Sequence, residues 1–194
     1  LFATGPRTSG AYRADARTLD GATGPRLLIA GGEVARPGAW PWQVAILHDG
    51  GSSARWSFRC GGAIIAPEEV LTTASCVVDP VTGAPWLSTT LYVMVGMHDA
   101  SVPDGELTYV WQVVVHPDFD LTSPLVDNIA LLRLAQSREW NDRVQPVDLL
   151  AEATDPAIQP GAIATATGWG VYAPPNPGWA TPLRQVELPI VNCT

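Results

Sequence analysis

Lysine is entirely missing from this sequence. All 11 basic side chains are arginines, and 19 acidic ones outnumber them, so the formal net charge is -8 and the isoelectric point is about 4.7. Binding to phosphate backbones or to anionic membranes needs clustered cations, so this acidic balance argues against a nucleic-acid or membrane partner. The exclusive use of arginine indicates a compositional bias of the source and not a binding site.

Long apolar runs are missing too. No uninterrupted apolar segment approaches the roughly 18 residues that a membrane-spanning helix needs, so the sequence predicts a soluble chain. The chain opens at Leu1 with neither a methionine nor the basic-then-apolar pattern of a signal peptide. We therefore expect it to be part of a longer polypeptide that carries further domains.

Cysteine is scarce and odd in number. The three cysteines are Cys60, Cys76 and Cys193. In a secreted protein an odd count suggests one disulfide and one cysteine whose partner lies elsewhere. The alternative is that the cysteines are buried, reduced thiols of a cytosolic protein.

Glycine and proline, in contrast, are plentiful, with 18 of each spread among short apolar runs. This pattern favours many turns and short strands, and an apolar content of 46% is enough for a globular core. The candidate strands are residues 43–47, 55–60, 63–65, 70–73, 91–95, 110–115 and 129–134. Their spacing predicts an all-β chain whose strands close into an antiparallel Greek-key barrel.

Six short motifs follow one another along the chain. They read Ile-Ala-Gly-Gly at 29–32, Trp-Pro-Trp-Gln-Val at 40–44, Cys-Gly-Gly-Ala-Ile-Ile at 60–65, Val-Leu-Thr-Thr-Ala-Ser-Cys-Val at 70–77, Val-Asp-Asn-Ile-Ala-Leu-Leu at 126–132 and Thr-Gly-Trp-Gly at 167–170. In this order they resemble the motifs of the chymotrypsin-like serine proteases, peptidase family S1. The resemblance implies a trypsin-like double Greek-key barrel fold.

The resemblance also implies the domain organisation. Residues 29–150 would form the complete first barrel, and residues 151–194 the crossover and the first strands of the second barrel. In the family the nucleophile loop and the specificity pocket come after the position of Thr194, so the resemblance implies that this chain contains neither. Residues 1–28 are rich in arginine and poor in large apolar side chains, which is typical of a flexible linker or propeptide-like segment.

The catalytic positions of the family are changed in this sequence. The residue that aligns with the family's histidine is Ser75, and the one that aligns with its aspartate is Asn128, with Asp127 one place early. A one-residue offset in a strand turns a side chain to the opposite face, so Asp127 is not expected to replace the aspartate. Ser75 and Asn128 could instead hydrogen-bond to each other as a neutral pair. The sequence therefore predicts no catalytic residue in this chain.

Two further features follow from the same resemblance. It implies that Cys60 pairs with Cys76, closing a loop worth about 3 kcal/mol, and that the partner of Cys193 lies outside this chain. Ile29 aligns with the family's activated N-terminus. Leu28 precedes it, however, and the nearest basic residue is Arg26, so a cut after a basic residue would leave two extra residues ahead of Ile29. Normal activation is therefore not expected.

The other candidate site residues indicate structure more than chemistry. His48, His98 and His116 match surface or structural positions, with His48 in a hairpin turn, and they show no metal-ligand spacing, so no metal or cofactor is predicted. Residues 79–88 and 98–106 are predicted loops. Trp86, in the first of them, either packs back on the barrel or contacts a partner.

These observations leave three functional hypotheses. The first is a secreted, extracellular serine protease homologue without catalytic activity that binds a protein partner. The second is the N-terminal portion of an active serine endopeptidase. The third is that the 194 residues do nothing alone, because an incomplete second barrel leaves a sheet edge and apolar surface exposed.

Overall fold

Short antiparallel strands make up nearly all of the regular structure. The computed structural model describes residues 2–3, 32–49, 57–102, 104–123, 126–152, 154–173, 176–179 and 182–191. The strands are β1 (Phe2–Ala3), β2 (Glu33–Val34), β3 (Gln43–His48), β4 (Ser57–Ala66), β5 (Glu69–Thr72), β6 (Leu91–Val95), β7 (Glu106–Val115), β8 (Ala130–Leu134), β9 (Ile163–Gly168), β10 (Val171–Ala173), β11 (Asn176–Trp179) and β12 (Arg184–Pro189). The helices in this part of the chain are single 3₁₀ turns at Ala74–Cys76, Ser88–Thr90 and Pro156–Ile158.

Six of the strands close into a barrel. Their order around it is β3, β4, β5, β8, β7 and β6, and each neighbouring pair is antiparallel. The chain leaves β5 and returns as β6 on the far side of β3, which is the crossing expected of a Greek key. The predicted all-β barrel is confirmed.

Strand β3 is buried on both of its faces. Val44 and Ile46 point into the barrel core, whereas Ala45 and Leu47 belong to a second apolar cluster outside it. Alternate residues of a strand face opposite sides, so a strand between two cores needs apolar residues throughout. This explains the unbroken apolar run at the centre of β3, and it places the second cluster against the barrel wall.

Strand β4 is continuous where the sequence predicted two strands, 55–60 and 63–65. The two predicted strands lie on either side of Gly61 and Gly62, and glycine weakens a strand interior. A Cβ atom at Gly62 would lie 3.0 Å from the carbonyl oxygen of Leu71 on the neighbouring strand. Glycine at position 62 is therefore favoured by a close approach of two backbones, and the predicted division into two strands is wrong. Residues 55 and 56 lie outside the described part of the chain.

Other predicted boundaries moved by a few residues. Strand β7 begins at Glu106, four residues before the predicted start at 110, which shortens the predicted 98–106 loop by one residue. Strand β8 begins at Ala130 and not at Ile129. His48, predicted in a turn, is the last residue of β3 and pairs with Leu91 and Ser57.

A second sheet lies against the outside of the barrel. Its order is β1, β9, β12 and β2, and β9 and β12 correspond to the strands expected to begin the second barrel. The Trp169 indole and the Leu183 amide both donate hydrogen bonds to the carbonyl oxygen of His98 on the barrel. Trp169 is 1% exposed and is the largest fully buried side chain among the described residues, so it anchors the second sheet to the barrel.

Two further expectations concern the predicted linker at residues 1–28 and membrane-spanning helices. Of the predicted linker 1–28, only Phe2–Ala3 lie among the described residues, where they pair with Ala166 and Thr165 of β9. In the described part of the chain, none of the helices has the length and apolar character that a bilayer crossing demands.

Candidate functional site

Ser75 lies on the short 3₁₀ turn that follows β5. The flanking residues Ala74 and Cys76 are buried in the barrel core, whereas Ser75 is exposed. Because its neighbours on both sides are anchored, the turn has little freedom and presents the Ser75 side chain at the barrel surface. The Thr73 hydroxyl lies 3.3 Å from the Ser75 hydroxyl and 2.9 Å from the Cys76 sulfur.

Ser75 and Asn128 form a reciprocal hydrogen-bonded pair. The Ser75 backbone N–H donates to Asn128 Oδ1 at 2.9 Å, and Asn128 Nδ2 donates to the Ser75 hydroxyl at 3.1 Å. The two residues are 53 positions apart in sequence, and the pairing of β5 with β8 brings them together. The neutral pair that the sequence suggested is present.

Asp127 lies in the loop just before β8 and takes no part in the hydrogen bonds of this pair. Its φ is +52°, the left-handed region that Asp and Asn enter more readily than most other residues. Its carboxylate groups with His116 and Asp118, and one potential ligand atom from each of the three lies within 4.8 Å of the others. The sequence predicted no metal site, and the pattern His-x-Asp with a second Asp nine residues later is too common to have suggested one.

The Cys60–Cys76 disulfide is formed, as the resemblance implied. It joins β4 to the 3₁₀ turn that carries Ser75, across a sequence separation of 16. The disulfide therefore fixes the exposed Ser75 relative to the barrel wall. Cys193 and Ile29, the other two predicted site residues, lie outside the described residues, so their predicted roles stay predictions.

Trp86 packs back on the barrel, the first of the two alternatives for this residue. Its ring stacks on His48 with centroids 4.0 Å apart, and the Arg59 guanidinium lies 4.6 Å from the ring centroid. The ring also contacts the barrel core. Burial lowers the pKa of His48, the Arg59 charge lowers it further, and Asp49 opposes the shift.

This environment predicts a pH dependence of stability. His48 has an ordinary pKa of 6.5 when unfolded and a lower one in the folded protein, so the unfolded chain gains the proton first as the pH falls. The contribution of neutral His48 to folding stability is present above pH 6.5. It is lost as the pH falls from there toward the pKa of His48 in the folded protein. In urea unfolding between about pH 7.5 and about pH 5.5, wild type is expected to lose more stability than the His48→Gln variant. Parallel curves for the two proteins would contradict this assignment.

A shallow cleft of about 310 Å³ lies between the loop that follows the Ala74–Cys76 turn and the loop between β7 and β8. It is lined by Val81, Thr82, Gly83, Phe119, Asp120 and Leu121. The first loop is shaped by Asp79, whose carboxylate accepts hydrogen bonds from the Thr82 and Val81 amides at 2.8 and 2.9 Å. These bonds lower the pKa of Asp79, with the Thr82 amide the largest cause.

The backbone of His98 links the barrel to the second sheet and to Asp104. Its carbonyl oxygen accepts the bonds from the second sheet, and its backbone N–H donates to Asp104 at 3.0 Å. Asp104 also pairs with Arg143 at 2.8 Å. Burial is the largest influence on the pKa of Asp104 and raises it. Hydrogen bonds from the His98, Asp99 and Asp104 amides and the Arg143 charge together outweigh burial, so the pKa of Asp104 is lowered.

A closed antiparallel barrel with a disulfide-anchored turn at its surface and a second sheet packed on its wall is the architecture of a trypsin-like β-barrel domain. Residues 29–193 match the family described as trypsin, and the chain belongs to this family. It resembles the clotting factor G beta subunit of Tachypleus tridentatus, with 36% identity over 84% of this chain. It also resembles mouse tryptase at 34% identity and mouse ovochymase-2 at 32%, each over 84% of this chain.

The relatives are longer than the matched region. The chain spans 50% of the clotting factor G beta subunit, 56% of tryptase and 25% of ovochymase-2. Membership of the trypsin family establishes the fold and the class of this domain.

Proposed function

We propose that this peptidase S1-like domain is catalytically inactive and acts outside the cell by binding another protein. The observation that carries the proposal is the Ser75–Asn128 pair. Triad chemistry needs an imidazole to take the proton from the attacking hydroxyl, and a carboxylate to hold that imidazole in its tautomer. A serine hydroxyl and an amide, already hydrogen-bonded to each other, supply neither function.

The surroundings of the pair support the same conclusion. Asp127 is the nearest carboxylate in sequence, and it groups with His116 and Asp118 while Ser75 pairs with Asn128. In the described part of the chain no hydrogen bond joins His116 to Asp127. This arrangement supports the proposed absence of a histidine–aspartate dyad of the kind that an active protease uses.

The disulfide and the chain's length relative to its relatives support a secreted protein that carries further domains. Disulfides persist in oxidising compartments, so Cys60–Cys76 supports a secreted protein. The relatives extend well beyond the matched region, which supports further domains in the same polypeptide. The acidic charge of -8 supports a protein partner over a nucleic acid or a membrane surface.

The cleft between the two loops is the proposed contact surface. Val81 is 88% exposed at one side of it, and Leu121 lines the other. Exposed apolar side chains beside a concave surface are typical of peptide-binding sites. Trp86 is not included, because its ring is held by His48 and Arg59.

Panning a displayed peptide library against the full-length protein tests the binding half of the proposal. We expect selected peptides to lose binding to the Val81→Glu, Leu121→Glu double variant and to keep it with Val102→Glu, a matched change at another exposed valine. Failure to select any peptide, or equal loss with Val102→Glu, would count against the cleft. Substrate turnover tests the catalytic half separately.

A second candidate function has support of its own. The names of mouse tryptase and of the Drosophila serine proteinase stubble, which is 33% identical over 87% of this chain, denote proteases. They favour the N-terminal portion of an active serine endopeptidase as the alternative. Hydrolysis that is blocked by a serine-directed inhibitor would establish that alternative.

A further inference from the structure

The loop between β7 and β8 brings three metal-ligating side chains to one point. His116 and Asp118 lie just after β7, and Asp127 lies three residues before β8. One ligand atom from each of the three lies within 4.8 Å of the other two. From this geometry we propose that His116, Asp118 and Asp127 form a zinc site that closes the base of this loop.

The ligand types select the metal. Zinc binds imidazole nitrogen and carboxylate oxygen at about 2.0–2.2 Å and accepts three protein ligands plus water. Calcium and magnesium prefer sets made of oxygen alone, with six or more ligands, and they disfavour an imidazole. One nitrogen and two carboxylate oxygens around a single point therefore suit zinc or a neighbouring transition metal.

The two carboxylates are available for a metal ion. The ion pairs in the described residues use Glu69, Glu106 and Asp104, and neither Asp118 nor Asp127 takes part in them. Both carboxylates are exposed, and the net charge of -8 favours the approach of a cation. His116 Nδ1 accepts one hydrogen bond of 3.3 Å from the Asp118 amide, a length at the weak end, so a metal ion replaces little there.

The backbone already holds the three residues in place. The His116 amide donates to the carbonyl oxygen of Ile129 at 3.1 Å, and the Ile129 amide donates to the carbonyl oxygen of Asp127 at 2.8 Å. These bonds close the loop at its base, so a bound ion would add a cross-link between segments that are already adjacent. Ligands that need little rearrangement lose less conformational freedom on binding.

A zinc ion here would act on two neighbouring features. Asp127 directly precedes Asn128, which holds Ser75, and Asp118 directly precedes Phe119, which lines the cleft. The ion would therefore restrain both the Ser75–Asn128 pair and one wall of the cleft. The zinc site rests on its own three residues and does not depend on the proposed absence of catalysis.

Calorimetric titration of the full-length protein with ZnCl₂ in a chelator-free buffer tests the proposal. We expect one saturable site, and at least about 10-fold weaker binding in each of the His116→Gln, Asp118→Asn and Asp127→Asn variants. Asparagine tolerates the left-handed backbone at 127, so that variant should fold. The matched controls His48→Gln and Asp142→Asn, each outside the cluster, should bind zinc as wild type does.

The outcomes separate the possibilities. Saturable zinc binding that is lost only in the three cluster variants supports the site, as does the absence of competition from CaCl₂ or MgCl₂ at the same concentration. Three results would overturn it: no saturable zinc binding by wild type, unchanged binding in the His116→Gln variant, or an equal loss in the Asp142→Asn control.

Discussion

The full-length protein is expected to hydrolyse peptide substrates at least about 10⁴-fold more slowly than an active trypsin-family protease assayed in parallel. Replacing the triad aspartate by asparagine lowers turnover by about 10⁴, and removing the catalytic base costs about 10⁶ in a convergent enzyme. The family resemblance predicts Ser75 and Asn128 at the histidine and aspartate positions, and the two residues hydrogen-bond to each other. The effects of two such losses do not multiply, so the larger one sets the scale.

A double variant tests this prediction most directly. The Ser75→His, Asn128→Asp protein regains an imidazole and a carboxylate across the β5–β8 pairing. The matched control is Ser123→His, which places an imidazole on an exposed loop position outside the pair. Activity that appears only in the double variant would assign the two missing roles to residues 75 and 128. Wild-type turnover near that of the active protease would disprove the proposal.

Removal of the disulfide is expected to lower the free energy of unfolding by about 3 kcal/mol. The Cys60→Ala, Cys76→Ala variant releases a cross-link across 16 residues, which gives the unfolded chain more conformational freedom. It also releases the 3₁₀ turn from β4, so Ser75 loses part of its fixed position. Guanidinium unfolding of the variant and of wild type measures the difference as a change in midpoint.

Reduction provides the control for the disulfide. Wild type in a reducing buffer should unfold at the midpoint of the double alanine variant, and the variant itself should not respond to the reductant. Equal midpoints for oxidised wild type and the variant would show that the cross-link contributes no stability.

Most of the barrel could be predicted from local patterns. Apolar β-branched runs between Gly, Pro and Asp clusters mark β3, β5, β6 and β8 within a residue or two, because burial of alternate side chains imposes that pattern. The pattern failed at β4, where two strands were predicted on either side of Gly61 and Gly62. A Cβ atom at Gly62 would lie 3.0 Å from the Leu71 carbonyl oxygen, and one at Gly61 would lie 2.8 Å from Gln43 Nε2, contacts that no local window contains.

Part of the candidate site could likewise be predicted from the sequence, and part could not. The exposed Ser75 between buried neighbours follows from its motif, and its pairing with Asn128 was anticipated because the family resemblance aligned both residues. The cleft and the grouping of His116, Asp118 and Asp127 had no sequence signal. They depend on loops whose course is set by distant contacts.

The order of residues by itself determined most of the strands and the barrel, because each strand is recorded in a few consecutive residues. Through the family resemblance it also predicted Ser75 and Asn128 at the histidine and aspartate positions. Only the folded chain decided that Asp127 groups with His116, that Trp86 contacts both His48 and Arg59, and that β3 borders two cores. The reason is physical: side-chain direction and burial depend on what the rest of the chain packs against each strand, and that information is spread over the whole sequence.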